Sequence, residues 1–435
     1  MKIMKITKTA IAAGVMLVLT FAGSAYAMID GVEATTFNLT AREGYISTAE
    51  GNSLYAWGYA DGAGSMQYPG VTMMVRQGDV VAVNLTNALP ATSGNVSIVF
   101  PGQKVTAVGG VKGLLTQEAP PDGATVVTYT FTATNPGTYL YHSGTNPELQ
   151  TEMGLVGALI VRPTGYDPMM PMAYETMGSD YTNSNREFLF LLTEIDERIH
   201  VLVETQGPDA LAQTDYLSNY FPTYWLINGR TATDTMFPAF VPWLPTQPYN
   251  CMPMMHPGDK MLMRFIGAGR HMHPFHPHGN HVRFIAIDGR PLSTDPTMGL
   301  DLSHEAFTIQ SVPGRTYDTI FEWTGKDLGW DIYGHTPGDP MEPNEYEPDH
   351  GKPFPTILPD QKDLVFGGMY SGSPFLGTMG TLPPGEGGMN PMAGFAYMWH
   401  SHTEKEMTNF DVFPGGMMTM LIIVSPSVNL DDMQM

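Results

Sequence analysis

The histidines of this chain concentrate in one run, His271-Met272-His273-Pro274-Phe275-His276-Pro277-His278-Gly279-Asn280-His281, which holds five of the thirteen. A distant run repeats the spacing of its central pair: Tyr397-Met398-Trp399-His400-Ser401-His402. Residues two apart on a β-strand point to the same face, so each His-x-His pair can present both imidazoles to one metal ion or to two adjacent ions. Imidazole binds copper, zinc, iron and nickel, so the pairs predict a metal site without choosing the metal. Histidines that cap strands or lie on the surface are the alternative.

The composition predicts an all-β protein that is rich in turns. Glycine (47) and proline (36) are frequent among the 435 residues, only 15% of the residues are charged, and long helix-period patterns are absent. Residues 125–133 alternate apolar and polar side chains, as a half-buried strand does. The sequences Gly78-Asp79 and Gly258-Asp259 each lead into a strand-like run, and this repeat indicates two copies of one fold. We therefore expect tandem β-sandwiches.

The chain divides into parts of different composition. Lysines, an apolar run and a small-x-small site that ends at Ala27 are typical of a secretory signal peptide. We predict a signal peptide at 1–27, a first sandwich at 28–163, a linker with Met and Pro at 164–185, a second sandwich at 186–425 and an acidic tail at 426–435. The second sandwich contains a long Pro- and Gly-rich insertion at about 324–392, either a cover for the second histidine pair or a surface insertion without a role.

Charge and hydrophobicity restrict the location and the partners. A signal peptide predicts a periplasmic or extracellular protein. The apolar run at 10–22 is too short for a membrane span, and no other stretch reaches about 18 apolar residues, so we expect no membrane anchor. The formal net charge of −22 repels nucleic acid and anionic lipid and attracts cations. We therefore expect a small-molecule or metal-ion substrate and no nucleic acid partner. Cys251 is the only cysteine, which excludes an intrachain disulfide.

The 32 methionines are a second signal that relates to metals. Thioether sulfur is a soft ligand that selects Cu(I). The methionines also fill irregular gaps in cores, and we favour that explanation for the apolar run at 417–424. The run Asp167-Pro168-Met169-Met170-Pro171-Met172 is broken by proline, and we expect it to be exposed. Two interpretations stay open for it: copper collection, and packing without metal binding.

Several motifs together resemble those of the multicopper oxidase and copper nitrite reductase group of cupredoxin-fold proteins. They are Gln77-Gly78-Asp79-Val80-Val81, Asn135-Pro136-Gly137-Thr138-Tyr139-Leu140-Tyr141-His142-Ser143, the strand from Met153 to Val161, and His273-Pro274-Phe275-His276-Pro277-His278-Gly279. The resemblance covers most of the chain after the signal. It implies two tandem cupredoxin-like Greek-key β-sandwiches, bound copper and oxidoreductase activity. Two-domain members commonly form homotrimers with metal sites between the first domain of one subunit and the second domain of the next.

The resemblance also implies a set of metal ligands, namely His142, His273, His276, His278, His400 and His402. All except His273 match positions in the family's cluster of three coppers. Carried over by position, His142 and His402 would share one copper, His278 and His400 would share a second, and His276 would face the third. Three histidines of that cluster are replaced, by Val99, Pro101 and Gly144. We therefore expect one or two copper ions at the site instead of three.

The chain departs from the family most at the electron-entry site. The cysteine expected between the last two histidines is Ser401, the histidine four residues after His402 is replaced by Glu406, and the methionine position is Asp411. Ser143 likewise excludes the first-domain thiolate of nitrite reductases. A blue-copper site needs a thiolate and two imidazoles, and His273 alone remains of that set. We therefore predict that the protein has no blue-copper centre.

Three functions fit these features. The first, which we favour, is a copper-dependent oxidoreductase with a reduced histidine cluster. The second is a non-catalytic periplasmic protein for copper binding or copper resistance, which the methionine clusters and the negative charge favour. The third is a structural pseudoenzyme that kept the sandwich and its histidines. A cupin, which has a His-x-His strand of its own, is the alternative architecture, and the repeated Gly-Asp strands argue against it.

Overall fold

The structure is a computed structural model, and it describes residues 29–326, 329–353 and 395–430. Their regular structure is mostly β-strand, with two α-helices, α1 (Pro147–Glu152) and α2 (Glu197–Gln206). Neither helix of the described part has the length and apolar character needed to cross a membrane. The predicted signal peptide at 1–27, much of the predicted insertion and the last five residues of the predicted tail lie outside the described residues.

The first sandwich packs two sheets around an aromatic and aliphatic core. Its strands are β1 (Val32–Glu33), β2 (Thr36–Ser47), β3 (Ser53–Asp61), β4 (Met73–Arg76), β5 (Val80–Asn87), β6 (Thr106–Gly109), β7 (Val111–Lys112), β8 (Gln117–Glu118), β9 (Val127–Thr132), β10 (Gly137–His142) and β11 (Val156–Arg162). One sheet has the order β3-β2-β5-β9-β6 and the other the order β1-β4-β11-β10, while β7 and β8 form a hairpin. Val127, Tyr129 and Phe131 of β9 point into the core, as the alternation in the sequence predicted.

The second sandwich carries the histidine run on an inner strand. Its strands are β12 (Glu187–Ile195), β13 (Tyr224–Ile227), β14 (Met254–Met255), β15 (Lys260–Gly267), β16 (His273–Pro277), β17 (Val282–Ile287), β18 (Arg290–Pro291), β19 (His304–Ala306), β20 (Ile309–Ser311), β21 (Thr316–Glu322), β22 (Phe395–Ser401) and β23 (Met418–Ile423). One sheet has the order β13-β12-β15-β21-β17-β18, with β19 beside β17, and the other has the order β14-β23-β22-β16-β20. Phe190, Phe265, Phe275 and Trp399 lie in the core between them.

The two sandwiches repeat the same strand pairing. In the first, β2 runs parallel to β5 and β5 antiparallel to β9; in the second, β12 runs parallel to β15 and β15 antiparallel to β21. The repeated Gly-Asp turns precede β5 and β15. Gly78 and Gly258 have φ of 91° and 80°, in the left-handed region that favours glycine. Asp79 and Asp259 each accept a hydrogen bond from the backbone N–H three residues earlier. The predicted all-β fold with two tandem sandwiches is confirmed.

The segment predicted as a linker packs against the second sandwich along part of its length. Tyr174 and Tyr181 are buried in a cluster with Leu262 and Ile320 of β15 and β21. Met169 and Met170 of the same segment stay exposed, at 73% and 77%. The buried tyrosines attach this segment to the second sandwich. The exposed methionines agree with the exposure that the proline-broken sequence predicts.

A buried ionic network joins the two sandwiches. Arg162 of β11 donates to Glu187 Oε2 at 2.8 Å, and Arg264 Nε donates to Glu187 Oε1 at 2.7 Å. Arg264 also lies 3.4 Å from Asp318, whose other carboxylate oxygen accepts a hydrogen bond from the Thr138 hydroxyl at 2.5 Å. Because Arg162 and Thr138 belong to the first sandwich, these contacts fix its strands against β12, β15 and β21.

Candidate metal centre

Two neighbouring strands bring the two histidine pairs together. β16 and β22 are antiparallel, and His276 is directly opposite His400 in their register. The Nε2 atoms of His278 and His400 are 3.2 Å apart. Ring centroids are 5.1 Å apart for His276 and His402 and 5.4 Å apart for His400 and His402. We call these four residues the histidine quartet. Their convergence follows from the two-residue side-chain period of both strands.

Hydrogen bonds orient two rings of the quartet. The Nδ1 atom of His276 lies 2.6 Å from the carbonyl oxygen of Phe307, and Nδ1 of His400 lies 2.7 Å from the carbonyl oxygen of Ser401. A carbonyl oxygen only accepts, so in each ring Nδ1–H donates and Nε2 keeps its lone pair. Such hydrogen bonds are typical of metal-binding histidines because they fix both the tautomer and the ring plane.

The quartet is electrically suited to hold a cation. Burial, with smaller contributions from the neighbouring rings of His276, His400 and His402, lowers the pKa of His278 to about 4. Burial also lowers the pKa of His276 and of His400. These three rings are therefore neutral at pH 7, which is the form that binds metals. His400 is buried and His402 is exposed, so the site opens to solvent on the His402 side.

The first sandwich has the same strand arrangement but only one histidine. Val99 pairs with His142 in an antiparallel bridge, as His276 pairs with His400 in the second sandwich. Nδ1 of His142 lies 2.9 Å from the carbonyl oxygen of Ser143, and burial lowers the pKa of His142. It is therefore a neutral ring whose Nε2 carries a lone pair. Across the described part of the chain, no hydrogen bond or ring contact joins His142 to the quartet.

The residue two positions after His142 leaves no room for a side chain. A Cβ atom built on Gly144 would lie 2.6 Å from Cγ1 of Val99 and 3.2 Å from the hydroxyl oxygen of Ser97. Glycine at 144 and valine at 99 therefore fit each other, and a histidine at 144 would clash with that valine. Local packing in the first sandwich thus accommodates valine at 99 and glycine at 144, where the family resemblance would place histidines.

His273 has an environment different from that of the quartet. Its Nε2 lies 2.9 Å from Glu194 Oε2, and its Nδ1 lies 2.8 Å from Glu406 Oε2. The hydroxyl of Ser401 donates to the same Glu406 oxygen at 2.5 Å. All of these groups are buried. Both ring nitrogens of His273 are thus engaged by carboxylates, and in this arrangement neither is free to bind a metal.

The carboxylates determine the charge of His273. Burial disfavours the charged ring, but the hydrogen bonds with Glu194 and Glu406 raise the pKa of His273 to about 9. Burial alone would raise the pKa of Glu194, but the hydrogen bonds from His273 and from the backbone N–H groups of Arg270 and His271 lower it below its usual value. Sequence reasoning missed Glu194, although an acidic residue near the end of the otherwise apolar strand β12 was a signal that it has a buried partner.

The only cysteine of the chain is a buried free thiol. Cys251 is 2% exposed in the core of the second sandwich, and its thiol lies 3.3 Å from the carbonyl oxygen of Thr235. Burial raises the pKa of Cys251 to about 12. A metal ligand must be the thiolate, so this thiol is unsuited to a blue-copper site.

The described part of the insertion lies at the far end of β22 from the quartet. Trp330 stacks on Phe395 at the start of β22, and Ile332 and Tyr333 are buried in the core of the second sandwich. Phe395 and His400 are five residues apart, or about 16 Å along a strand. Residues 329–353 therefore do not cover the quartet, and residues 354–394 lie outside the described part of the chain.

Comparisons with known proteins agree with this architecture. A family model described as multicopper oxidase matches residues 43–165. The blue copper oxidase from Nitrosomonas europaea superimposes with a TM-score of 0.54 at 20% identity, over 89% of this chain and 85% of that one. The multicopper oxidase mgLAC gives a TM-score of 0.54 at 20% identity, over 92% and 89%. A third structure, titled simply as a multicopper oxidase, gives 0.50 at 16% identity, over 92% and 96%. No curated protein sequence matches the chain.

The family match covers the first sandwich, and the structural similarity extends over both. The resemblance found in the sequence motifs is thereby confirmed at the level of the fold. Residues 43–165 match the multicopper oxidase family model, and the two sandwiches together have the tandem cupredoxin-like fold of the solved multicopper oxidases.

Proposed function

We propose that the protein is an exported copper-binding protein of the multicopper oxidase type and that the histidine quartet is its copper site. One observation carries this proposal. The Nε2 atoms of His278 and His400 lie 3.2 Å apart, and His400 is held as the Nδ1–H tautomer, so its Nε2 lone pair faces the ring of His278. A metal ion can take the place of the proton between these two nitrogens and accept a lone pair from each ring.

The donor set fits copper and limits the number of ions. Neutral imidazoles suit copper among the metals that proteins bind. His278 and His400 would hold one ion, and His276 with His402 would serve a neighbouring position. Four rings are enough for one or two ions. When bound, copper supplies one-electron redox chemistry and an open coordination position for a small molecule.

We further propose that the protein acts as a copper-dependent oxidoreductase without a blue-copper centre. Ser401, Glu406 and His273 form a hydrogen-bonded network where the family has the ligands of that centre. Backbone carbonyls that accept from Nδ1–H fix the rings of His276 and His400, and the exposed His402 leaves its side of the site open to solvent. A reducing small molecule or metal ion would therefore approach the quartet directly from solvent on that side.

The lone histidine of the first sandwich supports assembly into a homotrimer. Leu114 and Leu115, at the tip of the β7–β8 hairpin, are 92% and 63% exposed. Leu115 also lies beside Gly144, two residues from His142. An exposed apolar tip beside an unused imidazole suits contact with another subunit. Sedimentation should give a trimer for the native chain and a monomer for Leu114→Asp, and a native monomer would contradict this part of the proposal.

A second function, copper collection without catalysis, is favoured by one specific observation. Met169, Met170 and Met177 are exposed at 73%, 77% and 69%, which is unusual for side chains that normally fill cores. Titration with Cu(I) separates the alternatives. If the protein collects copper, substitution of all three methionines by leucine lowers the number of Cu(I) ions bound per chain. If copper binds only at the quartet, that number is unchanged.

Copper titration of the metal-free protein tests the main proposal. We expect one or two Cu(II) ions per chain, an electron paramagnetic resonance spectrum of nitrogen-ligated copper and no intense thiolate-to-copper absorption. The double variant His278→Ala/His400→Ala should bind copper at least 100-fold more weakly. The matched control His304→Ala removes an exposed histidine that stacks on Phe284, and it should bind like the native chain. Equal binding by all three proteins would contradict the proposal, and absence of copper binding by the native chain would favour a structural pseudoenzyme.

A further inference from the structure

A second group of metal-binding side chains lies in the described part of the insertion. Asp331, His335, Glu345 and His350 each offer a ligand atom, and these four atoms lie within 4.8 Å of one another. We call this group the insertion cluster. Nδ1 of His350 lies 2.7 Å from Glu345 Oε1, and Nδ1 of His335 lies 3.1 Å from Glu345 Oε2. The same two nitrogens lie 3.8 and 3.4 Å from Asp331 Oδ2.

Hydrogen bonds fix the tautomer of the neutral His350 ring. Its Nε2 lies 2.9 Å from the carbonyl oxygen of Asp339, so Nε2–H donates there. In the neutral ring Nδ1 then carries a lone pair, and this lone pair faces Glu345. The contact requires either a second proton on the ring or a cation held between the two groups.

His335 gives an independent indication of the same kind. Its Nδ1 is buried and makes no hydrogen bond, although Glu345 Oε2 is only 3.1 Å away. A buried polar atom without a hydrogen bond is costly and rare in native proteins. The side chains of Asp331 and Glu345 are 0% and 3% exposed. No lysine or arginine of the described residues forms an ion pair with either carboxylate.

The surrounding backbone holds the carboxylates in place. Asp331 Oδ1 accepts from the N–H of Tyr333 and Oδ2 from the N–H of Gly351, both at 2.8 Å. Glu345 Oε2 accepts from the N–H of Glu342 at 3.0 Å. In a tetrahedral zinc site with bonds of about 2.0–2.1 Å, ligand atoms lie about 3.3 Å from one another. The distances of 2.7–3.8 Å from the two histidine Nδ1 atoms to the carboxylate oxygens of Asp331 and Glu345 span that value.

We propose that the insertion cluster binds one divalent first-row transition cation of the Zn²⁺ class, separately from copper at the quartet. Two neutral imidazoles and two carboxylates balance the charge of such an ion. Ca²⁺ and Mg²⁺ require six or more oxygen ligands, and Cu(I) prefers thioether or thiolate sulfur, so neither class matches this donor set. The spacing of Asp331 and His335, four apart, and of Glu345 and His350, five apart, is the sequence signal for the site.

The structural consequence of the ion is to close the insertion onto the second sandwich. The four ligands come from a segment of twenty residues that otherwise has little regular structure. The same segment places Trp330 against Phe395 and buries Ile332 and Tyr333 in the core. A cation at the insertion cluster would therefore stabilise the packing at the start of β22.

Zinc binding to the full chain tests this inference, with the double variant His278→Ala/His400→Ala as the parent so that the quartet does not compete. Equilibrium dialysis with metal analysis should give one Zn²⁺ per parent chain, and Zn²⁺ should raise the thermal unfolding temperature. Addition of His335→Gln should weaken binding at least tenfold and abolish the rise. Nδ1 of His335 makes no hydrogen bond to the described residues, so this change removes the proposed ligand atom without breaking a hydrogen bond there. Addition of Glu342→Gln, which removes an exposed acid three residues from Glu345, should change neither result.

The outcomes separate clearly. Absence of bound Zn²⁺ in the folded parent, or equal affinity with and without His335→Gln, would overturn the inference. Circular dichroism of each variant verifies the fold. If His335→Gln does not fold, His350→Gln provides the same comparison, because its ring contributes the second imidazole. The inference is independent of copper at the quartet, and its failure would leave that proposal intact.

Discussion

Two buried carboxylates, Glu194 and Glu406, stabilise the protonated form of His273. Because the pKa of His273 rises from 6.5 to about 9 on folding, its contribution to stability is complete below about pH 6.5 and is lost as the pH rises through about 9. Glu194 behaves oppositely: its pKa is lowered on folding, so its contribution is present above its unfolded value of 4.5 and is lost as the pH falls. Both contributions to the free energy of unfolding are therefore present together between about pH 4.5 and pH 6.5.

The first prediction concerns this pH dependence. The free energy of unfolding of the native chain, measured with urea, should fall between about pH 6.5 and pH 9, because the charge of His273 is lost there. In His273→Gln this fall should be reduced, since glutamine does not titrate. Parallel curves for the two proteins over this range would show that His273 does not carry its proton in the folded state.

The second prediction concerns how much the contacts of His273 contribute to the free energy of unfolding at neutral pH. His273→Ala removes one partner of a buried ionic group and leaves Glu194 and Glu406 buried without compensation, so we expect a loss of about 3–5 kcal/mol. Chemical denaturation at pH 7 measures it. His304→Ala, at an exposed position, should cost within about 0.5 kcal/mol. A loss under about 1 kcal/mol for His273→Ala would contradict the charged network.

At the scale of elements, the aspartates in the turns before β5 and β15 should contribute unequally to the free energy of unfolding. Asp79 accepts one backbone hydrogen bond at an exposed turn, so Asp79→Ala should cost about 1 kcal/mol. Asp259 makes the same bond and also pairs with Arg186 at 2.5 Å, so Asp259→Ala should cost about 2–3 kcal/mol. Urea denaturation of both variants measures the difference. Equal costs would show that the ion pair adds nothing.

Local patterns explain why the strands around the quartet could be predicted. A spacing of two places His276 with His278 and His400 with His402 on the same face whatever the rest of the chain does. The contact between β16 and β22 is 124 residues distant in sequence and needed the family resemblance. The partners of His273 could not be predicted, because Glu194 and Glu406 come from separate elements and no local spacing connects them. The insertion cluster was missed for a related reason, since its segment has no strand or helix period.

At the scale of the molecule, the network at Arg264 should determine the stability of the sandwich pair. Arg264 is fully buried and contacts both Glu187 and Asp318. Arg264→Met would leave these carboxylates without one guanidinium, and we expect a loss of about 3–5 kcal/mol. Arg315→Met breaks an exposed pair with Asp288 and should cost under about 1 kcal/mol. Similar losses in the two variants, measured by urea denaturation, would contradict a role for the network in joining the sandwiches.

The tandem architecture was predictable because the Gly-Asp turn and its following strand occur twice. The sequence could not reveal that His142 is out of contact with the quartet among the described residues, because that separation depends on how the sandwiches dock. Because of this separation, a single chain offers the four converging imidazoles of the quartet. His142 would join a copper site only through a neighbouring subunit.

The most direct test of copper at the quartet is an anomalous difference map at the copper absorption edge, from crystals of the copper-loaded protein. We expect a peak in contact with Nε2 of His278 and of His400, with a second peak, if present, beside His276 and His402. Copper peaks confined to the exposed methionines at 169, 170 and 177, or to any position out of reach of His278 and His400, would contradict the proposal.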